Sequence, residues 1–60
     1  MVNYRLFFML GGSVHDAYAN KYVHENILFS SPEKAFEYLM DEKNAVRHAE
    51  YVALPYYNNI

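Results

Sequence analysis

One stretch of this 60-residue chain constrains the rest: Ser30-Ser31-Pro32-Glu33-Lys34-Ala35-Phe36-Glu37-Tyr38-Leu39-Met40-Asp41-Glu42, where local chemistry and hydrophobic period agree on a helix. Ser31 can accept a hydrogen bond from the free N–H groups of a first turn. Pro32 falls where its missing N–H costs nothing, and Glu33 places negative charge at the positive end of the helix dipole. Phe36, Leu39 and Met40 follow at i, i+3 and i+4 with the small Ala35 beside them, so these residues form the expected inward stripe. Lys43 would fall next on that stripe. The helix is therefore expected to end between Glu42 and Asn44, where Asn44 can take the left-handed cap conformation.

The flanking segments read as strands. From Val2 to Leu10 one face carries Val2, Tyr4, Leu6, Phe8 and Leu10, and the other carries Asn3, Arg5, Phe7 and Met9. The first face should meet the helix; the second turns apolar at Phe7 and Met9, so the strand is expected to be covered on both sides. Gly11-Gly12-Ser13 is a turn signal. Residues 14–20 are ambiguous between a long hairpin connection and a frayed strand start, and Lys21 to Phe29 is the expected second strand. Residues 46–48 are either a last helical turn or the approach to a third strand, Ala49 to Leu54, which Pro55 should end. Tyr56, Tyr57 and Ile60 form an aromatic tail expected to dock on its own sheet or a partner. The expected architecture is a single α+β domain over 1–60, a whole protein beginning at its own Met1. It is a three-stranded, mostly antiparallel sheet with one helix on one face, in the order β-β-α-β.

Sixty residues bury only about 60% of the surface the unfolded chain exposes, so a core of this size is marginal alone. With no cysteine, disulfides and thiolate metal sites are excluded and a cytoplasmic location is the natural expectation. Seven tyrosines and four phenylalanines exceed what one helix on one sheet face can cover, which points to an interface and to a homodimer. The opening Met-Val-Asn-Tyr-Arg does not read as a signal peptide, and none is expected; the longest apolar run, Leu6 to Leu10, is too short to span a membrane.

Five basic against seven acidic side chains give a net charge of −2, which offers no footprint for gripping a phosphate backbone. Direct nucleic-acid binding is disfavoured. His15, His24 and His48 match no zinc or metallohydrolase spacing and read as surface or strand-edge histidines, so no metal is expected. Gly11-Gly12 lacks the following helix and Lys-Ser or Lys-Thr of a phosphate cradle, and a chain this short has little room for a catalytic pocket. The expectation is a protein without enzymatic activity or cofactor.

Two features remain. Glu33, Glu37 and Asp41 recur every four residues, a ridge of carboxylates about 6 Å apart on a helix. That spacing is on the scale of successive phosphates and could imitate a DNA backbone, although a solvated helix face gives the same pattern. The tyrosines combine large contact area with few rotatable bonds and a polar tip, which suits either a dimer seam or a groove that takes a partner's apolar side chain.

At Phe36-Glu37-Tyr38-Leu39 the chain resembles the small dimeric uracil-DNA glycosylase inhibitors of Bacillus phages: short length, β-β-α-β order, a Ser-initiated helix and Phe-Glu-any-Leu in its first turns. The resemblance implies a homodimer that imitates DNA, with an apolar groove that sequesters the leucine the glycosylase would insert into the duplex. Phe36 would shape the groove, Glu37 would face the enzyme's basic surface and Leu39 would pack inward. The chain departs from the family in having Met40 where an aromatic is expected and Gly-Gly-Ser in place of an acidic loop between the first strands. The expected partner-binding set is Glu33, Phe36, Glu37, Tyr38, Met40 and Asp41, and the expected partners are a host uracil-DNA glycosylase and a second copy. The alternatives are another interaction or anti-defence module, a scaffolding dimer, and a metal module in which two histidines converge with a carboxylate.

Overall fold

The computed structural model describes residues 2–57. Its elements are β1 (Asn3–Leu10), β2 (Ser13–Asp16), α1 (Pro32–Met40) and β3 (Glu50–Tyr56). The three strands form one antiparallel sheet in the order β2-β1-β3, and α1 packs on it from one side. The α+β class and the β-β-α-β order are those read from the sequence.

The second strand lies elsewhere than expected. Gly11 and Gly12 both take positive φ (58° and 82°), the conformation of a two-residue hairpin turn, and Leu10 pairs directly with Ser13. The chain thus returns at once as β2, which occupies the flank of β1 from Phe7 to Leu10. Only the start of β1 is left on that side, so the segment from Lys21 to Phe29 touches the sheet at a single bridge, Tyr4 to Phe29, and meets the later loop at another, Val23 to Ala45. It is a connection rather than a strand. Lys21 and His48 turn through positive φ (65° and 73°), the two described non-glycine positions where backbone strain is concentrated.

Alternation along β1 turns Leu6 and Phe8 inward as expected, whereas Val2 and Leu10, expected on the same face, are exposed at 37% and 59%. Leu6 and Phe8 are buried with Ala17, Val23, Phe29 and Ala35 in the core. Tyr22 stacks on Phe8 at 3.7 Å between ring centroids, and Tyr51, from β3, donates its hydroxyl hydrogen to the Val46 carbonyl at 2.6 Å with the Tyr22 carbonyl at 2.9 Å. The loops are thereby fastened to the sheet face that α1 covers.

The opposite face is different. Register places Phe7, Met9, Val14, Val52 and Leu54 together there, and none of them belongs to the core or packs against it. Arg5 borders this face, donating from Nε to Asp16 Oδ2 at 3.0 Å and from a terminal nitrogen to Asn26 Oδ1 at 2.6 Å, with its guanidinium 5.2 Å from the Tyr56 ring centre.

β3 runs through Pro55 to Tyr56 instead of ending at Leu54. Tyr4 spends its N–H and C=O on Phe29, so it forms no backbone hydrogen bond with Pro55 opposite, and the N–H that proline lacks would point out of the sheet edge. Of the tail, Tyr56 is held by Arg5, Tyr57 stays 70% exposed rather than docked, and Ile60 lies outside the described residues.

Candidate partner-binding face

The helix start is built as its residues dictate. Ser31 is extended (φ −155°, ψ 158°), its Oγ accepts the Lys34 N–H at 3.3 Å, Pro32 opens the first turn and Glu33 follows. The end comes earlier than expected. Asp41 leaves the helical conformation (φ −82°, ψ 116°) and accepts the Lys43 N–H on its own carboxylate at 3.1 Å. Asn44 closes the end with its side chain, donating from Nδ2 to the Tyr38 carbonyl at 3.0 Å, and takes no left-handed backbone. A short polar turn thus satisfies the last carbonyls that another helical turn would otherwise have used.

The inward stripe is rotated from the one expected. Ala35 is fully buried and sets the point of closest approach to the sheet; Tyr38 and Leu39, three and four residues on, share its side. At about 100° per residue Phe36 and Met40 fall well round the helix, and they are 45% and 82% exposed. Tyr38 instead packs edge-on to Phe29, with ring centres 5.5 Å apart. Its hydroxyl is enclosed without a hydrogen bond, and burial, reinforced by the Glu25 carboxylate, holds the phenol above its ordinary range. Tyr38 is therefore half-buried against the core, on the side of α1 away from Phe36 and Met40.

The outer side of α1 consequently presents Glu33, Phe36, Glu37 and Met40, with Asp41 at its end, all exposed. Glu33 and Glu37 stand one turn apart, about 6 Å along the axis. Asp41 sits at the negative end of the helix dipole with no basic residue in the last turn, an arrangement unfavourable for the helix itself. Residues 31–42 carry four acids against one lysine, and the Glu42–Arg47 ion pair lies at exposed side chains where it contributes little to stability. This is a negative surface with an apolar pair set into it.

The cavities and the histidines lie apart from this side of α1. The void among Arg5, Leu6, Tyr38 and their neighbours is about 10 Å³, about the size of one water. Two open clefts, about 270 Å³ beside Leu39, Val46 and His48 and about 380 Å³ beside Tyr18, Lys21 and His24, each hold one histidine. His15 is elsewhere, stacked on Phe8 at 5.3 Å. Among the described residues no three histidine, aspartate or glutamate side chains gather as metal ligands, and no helix is long and apolar enough to cross a membrane. The bare sheet face is the feature that site reasoning from the sequence left incomplete: Phe7 and Met9 were legible on β1, whereas Val52 and Leu54 join them through a register that only the fold supplies.

The fold and this surface define the chain as a small α+β protein with an acidic outer helix side and a second sheet face on which Phe7, Met9, Val14, Val52 and Leu54 stand among Arg5, Asp16 and Glu50. No protein-family model, curated protein or solved structure matches it.

Proposed function

We propose that this chain is a non-enzymatic inhibitor of a host DNA-binding enzyme, a uracil-DNA glycosylase first, and that it works as a homodimer by offering the acidic side of α1 to the enzyme's nucleic-acid site. The observation that carries the reading is the joint exposure of Glu33, Glu37 and Asp41 with Phe36 and Met40. Carboxylates at phosphate-like spacing would attract the basic surface that DNA normally occupies, while the apolar pair supplies the desolvated contact on which affinity depends. The resemblance at Phe36-Glu37-Tyr38-Leu39 directs the choice of enzyme, and the groove it implies would be walled by Phe36 and Met40, not Tyr38.

The test is a uracil-excision assay with a bacterial uracil-DNA glycosylase, run with the native chain and with Glu37→Lys. Inhibition near stoichiometry that falls with salt and is lost in Glu37→Lys supports the proposal. A folded chain in large excess that leaves excision unchanged refutes the choice of target. A scaffolding dimer is the second reading, favoured by the apolar sheet face alone; it expects no enzyme inhibition and self-association insensitive to Glu37.

A further inference from the structure

We infer that Met40 is a peroxide-sensitive modification site, whose conversion to the sulfoxide leaves the fold intact and weakens what is held on the outer side of α1. The weakening rests on the reading above; the site itself does not.

At 82% exposure Met40 is the most exposed large apolar side chain among the described residues. It is the last residue of α1, one turn beyond Phe36, and it belongs neither to the core nor to the residues packed against it. Met9 is the internal contrast: it is half-buried on β1, with Val14 and Glu50 as its neighbours in the sheet. A thioether needs no deprotonation to react, so access sets which of the two is oxidised first. The sulfur lone pair attacks one oxygen of hydrogen peroxide and the O–O bond breaks. The proton on the attacked oxygen passes to the departing hydroxide, leaving the sulfoxide and one water.

Placement decides the consequence. The cavities described above are lined by other residues, so Met40 offers a partner a projecting side chain rather than a hollow. A contact that closes around it desolvates the sulfur. The sulfoxide brings a strong acceptor oxygen into that contact, and the neighbouring Glu37 and Asp41 carboxylates, themselves acceptors, supply no donor to meet it. The core is untouched, because Met40 packs on none of it.

The test exposes the folded chain to dilute hydrogen peroxide and maps the products by peptide mass. Met40 should gain its oxygen at least about five-fold faster than Met9, with the difference lost in urea, and the melting temperature should hold at full Met40 conversion. Equal rates in the folded chain, or a lowered melt, overturn the site. In the uracil-excision assay the oxidised chain should inhibit at least about ten-fold less potently than the fresh one, and methionine sulfoxide reductases should restore the loss. Met40→Leu, whatever its own potency, should show no peroxide-dependent loss. Undiminished inhibition by the oxidised chain, or the same loss in Met40→Leu, overturns the weakening. A fresh chain that leaves excision unchanged refutes the inhibitor reading and the weakening with it, while the mapping and the melt decide the site by themselves.

Discussion

Tyr38 brings the ring of a core residue and the hydroxyl of a surface one into the same enclosed place. The backbone of His24 and Glu25 lies near enough to ease its burial, yet no hydrogen bond of good geometry forms. Deleting the oxygen should therefore cost nothing: Tyr38→Phe is expected to leave stability unchanged or raise it by about 1 kcal/mol in urea denaturation, and a loss beyond about 2 kcal/mol would mean the hydroxyl has a partner. Tyr51 is the contrasting case, because its hydroxyl donates to the Val46 carbonyl. Burial raises both phenols above the 10.0 of an unfolded chain. The folded state then binds these protons more tightly than the unfolded state, so their contribution is complete below about pH 10 and is lost as pH climbs through the raised folded values. Melting temperature should hold between about pH 8 and about pH 10 and fall above it. Tyr51→Phe should melt lower at neutral pH and show a shallower alkaline fall; a fall as steep as the native one would contradict this.

At the scale of elements, the rotation of α1 changes what a mutation means. Phe36 was expected in the core, where truncation would confuse stability with binding; at 45% exposure, Phe36→Ala should cost only about 1 kcal/mol or less, against about 2–5 kcal/mol for Leu6→Ala. Thermal melts of the two variants check the difference, and equal losses would restore Phe36 to the core. Phe36→Ala thereby becomes a usable binding variant alongside Glu37→Lys. The rotation was hard to read because Ala35, Phe36, Tyr38, Leu39 and Met40 supply apolar or aromatic residues on nearly every side of the middle turns. Hydrophobic period alone then cannot choose between a stripe centred on Phe36 and one centred on Ala35; the close approach allowed by alanine decides it. The cap was legible, since Ser31 and Pro32 act within one turn. The hairpin was half legible: Gly11-Gly12 marked the turn, but its two-residue closure depends on both glycines taking positive φ, and that moved the second strand from Lys21–Phe29 to Ser13–Asp16.

For the whole molecule, the core is small and the two sides of the sheet differ. Among the described residues six are buried, two of them alanines, which leaves little apolar burial to hold the fold. The acidic side of α1 and the sheet face that carries Phe7, Val52 and Leu54 lie on opposite sides of the sheet. Salt should weaken any complex made through Glu33 and Glu37 strongly. Inhibition by the acidic side of α1 is read by titrating a bacterial uracil-DNA glycosylase with this chain and with Glu37→Lys, following uracil excision at low and high salt. At low salt the native chain is expected to abolish excision near equimolar protein, and the charge-reversed variant, equally folded, is not. Excision that continues unchanged with the folded native chain in large excess would contradict it.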